Sequence, residues 1–139
     1  MILRGPYLAL DWGKKKIGWA TGDEMRITTS VHPVHLRAAK SPKWQLTNAD
    51  KTWLRQILDE WQPQTLVLGN PLGLGGVENE ESLGARSLAR EIAEFCGLTP
   101  VLVNEALSTW ESRGKKDEDS EAAAILLKDL WETYRRESR

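Results

Sequence analysis

Three acidic residues stand where apolar strands end or a helix begins. Asp11 closes the run Tyr7-Leu8-Ala9-Leu10, Glu105 follows Pro100-Val101-Leu102-Val103-Asn104, and Asp119 precedes the apolar stripe of the last helix. A carboxylate at a strand end is poorly placed for packing and well placed to bind a cation at a sheet edge. Three such groups repel one another at neutral pH unless a hard divalent ion neutralises them. Oxygen ligands suit magnesium or manganese, whereas zinc more often recruits histidine or cysteine. Such a site polarises a phosphodiester, orients a water and stabilises charge on the leaving oxygen, particularly with two ions about 4 Å apart. The pattern alone leaves Asp117 as an alternative to Asp119. It also leaves the plainer reading of solvated strand-end acids and a helix-start acid favoured by the dipole.

Cations that can grip phosphates flank these acids: Lys14, Lys15 and Lys16 after Asp11, and Arg113, Lys115 and Lys116 before Asp119. Asn70, within the glycine-rich stretch Gly69 to Gly76, is a further candidate for nucleic-acid contact. Residues 1–56 hold ten Lys/Arg against four Asp/Glu, and residues 57–139 hold nine against sixteen. An acidic chain can bind nucleic acid if its basic residues share a face. Trp12, one of seven tryptophans, either stacks on a base or packs in the core or at its rim. His32 and His35 read as solvent-facing residues of a basic loop over 32–46, without local partners for a metal.

The elements that must position these groups follow from periodicity. Tyr7 to Leu10, Ile17 to Thr21 and Met25 to Val31 read as an antiparallel meander, with Pro33 ending the third strand or sitting at its edge. Thr47 and Asp50 stand in capping-box spacing before the stripe Trp53, Leu54, Ile57, Leu58 and Trp61. Thr65 to Leu68 is a strand, Glu80 to Cys96 a helix closed by Gly97, and Pro100 to Val103 another strand. Cys96 lies on the apolar stripe as a core thiol, and Ser108 to Glu111 can form a brief helical turn. The last helix starts near Ser120 and buries Ala123, Leu126, Leu127, Leu130, Trp131 and Tyr134. Three strands followed by helix–strand–helix–strand–helix predict an α/β fold: a mixed five-stranded sheet with helices on both faces.

Size and composition narrow the class. At 139 residues the length suits one domain over 1–139 with a sizeable core. One cysteine excludes an intramolecular disulfide and no Cys/His cluster has zinc spacing. No stretch reaches 18 continuous apolar residues and the N-terminus does not read as a signal peptide, so a cytoplasmic protein with no membrane segment is expected.

Four segments in order resemble the YqgF, or RuvX-like, nucleases of the ribonuclease-H-like superfamily. Leu10-Asp11-Trp12-Gly13-Lys14-Lys15-Lys16-Ile17-Gly18 is similar to the family's first motif, and Gly69-Asn70-Pro71-Leu72 through Gly76 to its glycine–proline loop. Asn104-Glu105-Ala106-Leu107-Ser108-Thr109 and Asp119-Ser120-Glu121-Ala122-Ala123-Ala124-Ile125-Leu126-Leu127 resemble the remaining two. The resemblance implies a ribonuclease-H-like fold, with Asp11, Glu105 and Asp119 as catalytic carboxylates holding Mg2+ or Mn2+, and it favours Asp119 over Asp117. It implies phosphodiester hydrolysis in nucleic acid. Processing of the 5′ end of precursor 16S rRNA comes first, with association with ribosomal precursors, and cleavage of Holliday junctions or other branched DNA second. The chain departs from the pattern at Lys14, Gly75, Asn104 and Ala106, where the family carries threonine, aspartate, aspartate and arginine. A catalytically degenerate nucleic-acid- or ribosome-binding protein is the reading those departures favour.

Overall fold

The computed structural model describes residues 4–23, 25, 28–104 and 118–137. Its elements are β1 (Tyr7–Trp12), β2 (Lys16–Gly22), β3 (Thr29–Leu36), α1 (Asn48–Trp61), β4 (Thr65–Asn70), a 3-10 turn (Leu74–Gly76), α2 (Glu80–Cys96), β5 (Val101–Asn104) and α3 (Glu118–Glu137). The strands form one sheet in the order β3-β2-β1-β4-β5. The first three are antiparallel, whereas β4 and β5 run parallel to β1, with Leu10, Leu68 and Leu102 in register. This is the expected mixed α/β sheet of ribonuclease-H-like topology.

Alternation along β1 divides the core. Leu8, Leu10 and Trp12 pack with Leu54, Ile57 and Leu58 of α1 and Leu88, Ala89 and Ile92 of α2. Tyr7 and Ala9 pack on the opposite face with Ala123, Ala124, Leu126, Leu127, Leu130 and Trp131 of α3. Period-two strands buried on both faces read as continuous apolar runs, which is how β1 and β4 look in sequence. Each fully buried leucine adds roughly 1.5–3 kcal/mol of burial free energy before entropic costs. The Tyr134 side chain lies outside the described residues.

The helix ends follow their side-chain chemistry. Thr47 Oγ1 accepts from the Asp50 amide at 3.2 Å while the Asp50 carboxylate accepts from the Thr47 amide at 3.1 Å, so the capping box forms with aspartate in place of glutamate. Asn79 and Ser82 make the same reciprocal pair at the start of α2. Gly97 ends α2 with φ +84°, a left-handed conformation that glycine adopts without a Cβ penalty.

The third strand corrects the sequence reading. It runs Thr29–Leu36 rather than 25–31, so residues 32–36 are strand and not loop. Pro33 lies within it, on the sheet's edge, where the pairing with β2 shifts: Ile17 faces His35 and Trp19 faces His32. Gly18 of β2 thus stands opposite two residues of β3, Pro33 and Val34. An edge irregularity tolerates a residue that has no amide hydrogen to donate. It also brings His32 and His35, three positions apart, to one face. His32 stacks on Trp19 with centroids 4.0 Å apart and meets Thr21 Oγ1 at 2.9 Å. His35 stacks on Trp53 at 4.3 Å and pairs with Asp50 at 3.2 Å. Neither histidine is a free loop residue. Trp61 departs from its expected place too: it sits at the exposed end of its stripe, edge-on to His32.

Candidate functional site

Asp11 is the fifth residue of β1 and is half-buried among otherwise buried neighbours. Alternation puts it on the face of Tyr7 and Ala9, the face that α3 covers. It lies four positions beyond Tyr7, about 13 Å of strand. At the other end of that span, Trp131 of α3 meets Tyr7 edge-on, with centroids 5.6 Å apart, and lies with Leu127 against Gly22. Twelve residues, about 18 Å of helix, separate Trp131 from Asp119 in the first turn of α3. The first turn therefore stands well away from the Tyr7 end of the sheet.

On the far side of β4, β5 continues the parallel order, with Asn104 in register with Asn70. Val101 and Val103 pack on the α3 face and Leu102 on the other. Glu105, Asp117, Arg113, Lys115 and Lys116 lie outside the described residues, as does the helical turn expected at 108–111. Among the described residues, no group of three or more His, Cys, Asp or Glu side chains is arranged to hold a metal ion.

Gly13 opens the turn after β1. A Cβ there would stand 2.5 Å from the Lys16 carbonyl oxygen, so the turn closes too tightly for a side chain. Lys14, Lys15 and Lys16 follow, all exposed. Trp12 is 5% exposed, and its indole nitrogen donates to the Lys43 carbonyl, so it packs in the core and does not offer its face to a base. Asn70 ends β4 on the face of Leu66 and Leu68, opposite to Asp11. It is 6% exposed, and its Oδ1 is buried with no hydrogen-bond partner among the described residues. Cys96 is partly buried against the α1–α2 core.

Sequence reasoning missed the group beneath the lysine turn. Arg37 and Asp50 form an ion pair at 2.9 Å whose side chains are both fully buried. Arg37 Nη1 also donates to the carbonyls of Gly13 and Lys43, each at 3.1 Å, and of Lys14 at 3.3 Å. Its Nη2 donates to Pro42 at 3.0 Å and Gln45 at 2.8 Å. Burial pushes the Asp50 carboxyl upward, but hydrogen bonds from Arg37 and Thr47, with the guanidinium charge, outweigh it and hold its pKa below the ordinary value. Nearby, Glu81 accepts from the Trp44 indole and from Lys43, which lowers its pKa as well. The only sequence signal for Arg37–Asp50 was the acid of the capping box.

A family model described as "RuvX: Holliday junction resolvase" matches residues 5–132. A Cronobacter sakazakii protein named "Putative pre-16S rRNA nuclease" is 33% identical, over 95% of this chain and 99% of the relative. A Bordetella pertussis protein of the same name is 35% identical, over 91% and 92%. Among solved structures, Thermus thermophilus RuvC in complex with a Holliday junction substrate superposes with a TM-score of 0.61 at 12% identity, over 93% of this chain and 95% of that one. At that identity the likeness concerns the fold.

Proposed function

This chain belongs to the RuvX family, and on that premise we propose that it is a single-domain, magnesium- or manganese-dependent nuclease, working in the cytoplasm on the 5′ region of precursor 16S rRNA. The observation that carries this reading is the relation of α3 to β1. Trp131 anchors the C-terminal half of α3 at the Tyr7 end of the sheet, and Asp119 lies twelve positions earlier in the same helix, which covers the face of β1 that carries Asp11. Val101 and Val103, which precede Glu105 in the sequence, pack on the face that carries Asp11.

Asp11, Glu105 and Asp119 supply only oxygen donors, the set that suits a hard divalent cation. An ion bound by them supplies Lewis-acid stabilisation of phosphate charge and makes water a better nucleophile near neutral pH. The chain's own residues do the remaining work. Asp11 is fixed by the strand that carries it, since β1 is paired on both sides by β2 and β4. Lys14 and Lys15 hold substrate phosphates beside that strand end, giving register without reading sequence.

The name shared by the Cronobacter and Bordetella relatives favours the ribosomal precursor. The description of the family model favours a second reading, a four-way DNA junction. A cleavage panel decides: precursor 16S rRNA, unstructured single-stranded RNA, duplex DNA and four-way junctions, each with Mg2+ or Mn2+. Metal-dependent cleavage of the precursor in preference to the others is the expected result. Preferential junction cleavage would transfer the assignment to DNA. Binding without cleavage of any substrate would make this a degenerate member, consistent with Ala106 in place of the family arginine.

A further inference from the structure

The buried Arg37 joins two loops that are distant in sequence. One is the β1–β2 turn, held through the Gly13 and Lys14 carbonyls, and the other is the 37–46 segment, held through Pro42, Lys43 and Gln45. Gly13 O and Lys43 O both lie 3.1 Å from one guanidinium nitrogen, so they stand within about 6 Å of each other. The Arg37 amide adds a third tie, donating to the Lys15 carbonyl at 2.8 Å. Below, the guanidinium lies 5.1 Å from the centre of the Trp12 ring, next in sequence to Asp11. Asp50 anchors the cation to the first turn of α1.

With carbonyls drawn inward to one buried cation, the lysines of both loops are left in solvent. Lys14, Lys15 and Lys40 are exposed and make no ion pair among the described residues. Lys43 differs, since it is paired with Glu81 at 2.9 Å. Lys40 also has φ +63°, a left-handed conformation uncommon outside glycine, asparagine and aspartate. Such an outlier persists when its surroundings enforce it. Here Ser41, buried beside it, donates its hydroxyl to Ala38 O at 2.7 Å.

We propose that Arg37 is a positioning residue that locks these two loops into one phosphate-binding edge, formed by Lys14, Lys15 and Lys40, which grips the strand flanking the cleaved bond. Arginine suits the post because its planar fork offers five donors in fixed directions, which lysine cannot reproduce. The inference rests on the nucleic-acid reading above, yet it is tested by binding alone, without metal.

The test is the salt dependence of affinity for a fluorescein-labelled single-stranded RNA, measured by anisotropy with the full-length chain in EDTA from about 50 to 300 mM potassium chloride. Each phosphate contact to a single strand contributes about 0.7 to the slope of log K against log salt. The triple variant Lys14→Gln, Lys15→Gln, Lys40→Gln is expected to lose about 2 from that slope. Arg37→Lys, which preserves net charge, is expected to lose about 1 or more, because the lysines no longer share a rigid frame. An unchanged slope in the triple variant overturns the edge. An unchanged slope in Arg37→Lys with native circular dichroism makes Arg37 structural only and overturns its positioning role. If Arg37→Lys does not fold, Lys40→Gln alone decides: a loss of about 0.7 supports the joined edge, and no loss overturns it. Failure of the nuclease reading would appear as absent metal-dependent cleavage and would leave these slopes intact.

Discussion

Asp50 caps α1 and pairs with Arg37, and both roles favour its ionised form. Its depressed pKa fixes the sign of a pH effect. The stabilisation is complete above the unfolded value of 3.8 and is lost as pH falls through the lower folded value. His32 acts in the same direction at higher pH. Burial lowers its pKa from 6.5, partly offset by Glu60, so folding favours the neutral ring. Its contribution is complete above 6.5 and declines as pH falls through the folded value. Urea melts across pH are expected to show stability falling below about 6.5 and again below about 4. His32→Gln should flatten the first decline and Asp50→Asn the second; unaltered slopes would contradict the assignments. The capping acid was legible because Thr47 and Asp50 are three residues apart. Arg37 was not, because its partners at 13 and 14 are brought to it only by the β2–β3 pairing.

The elements were legible in proportion to how regular they are. Glu80 to Cys96 carries an unbroken stripe between a polar cap and a glycine, and α2 has those bounds. β3 was misplaced because the extra residue near Pro33 breaks the period-two pattern that sequence reading uses. The interface of α3 with the sheet depends on Gly22. A Cβ there would stand 2.7 Å from Trp131 Cζ2 and 3.2 Å from Leu127 Cδ1, both side chains of the helix that carries Asp119. Gly22→Ala is expected to cost about 1–3 kcal/mol by overpacking, read as a lower urea midpoint with unchanged m-value. It should also slow cleavage at pH 7 beyond the fraction unfolded, because α3 must shift along the sheet. Full activity in the folded fraction would disconnect helix docking from the site.

At the scale of the molecule, the basic first part and the acidic second part interleave, because β1 lies between β2 and β4. The lysines around the β1–β2 turn still gather beside the strand end that carries Asp11, so linear charge segregation becomes a local edge rather than a basic half. No described helix is long and apolar enough to cross a membrane. The mixed five-stranded sheet with helices on two faces is the arrangement that sequence periodicity predicts. Of the three carboxylates, Asp11 has its strand-end position and face in the structure, and Asp119 has its place in the first turn of α3. The proposed nuclease activity stands on Asp11 as a ligand of a catalytic divalent ion. The direct test is the initial rate of precursor 16S rRNA cleavage against Mg2+ or Mn2+ concentration, for wild type and Asp11→Asn at equal concentration, with matched circular dichroism and melting. Metal-dependent cleavage by the wild type and none by a folded Asp11→Asn is the expected result; equal rates would remove Asp11 from the metal site.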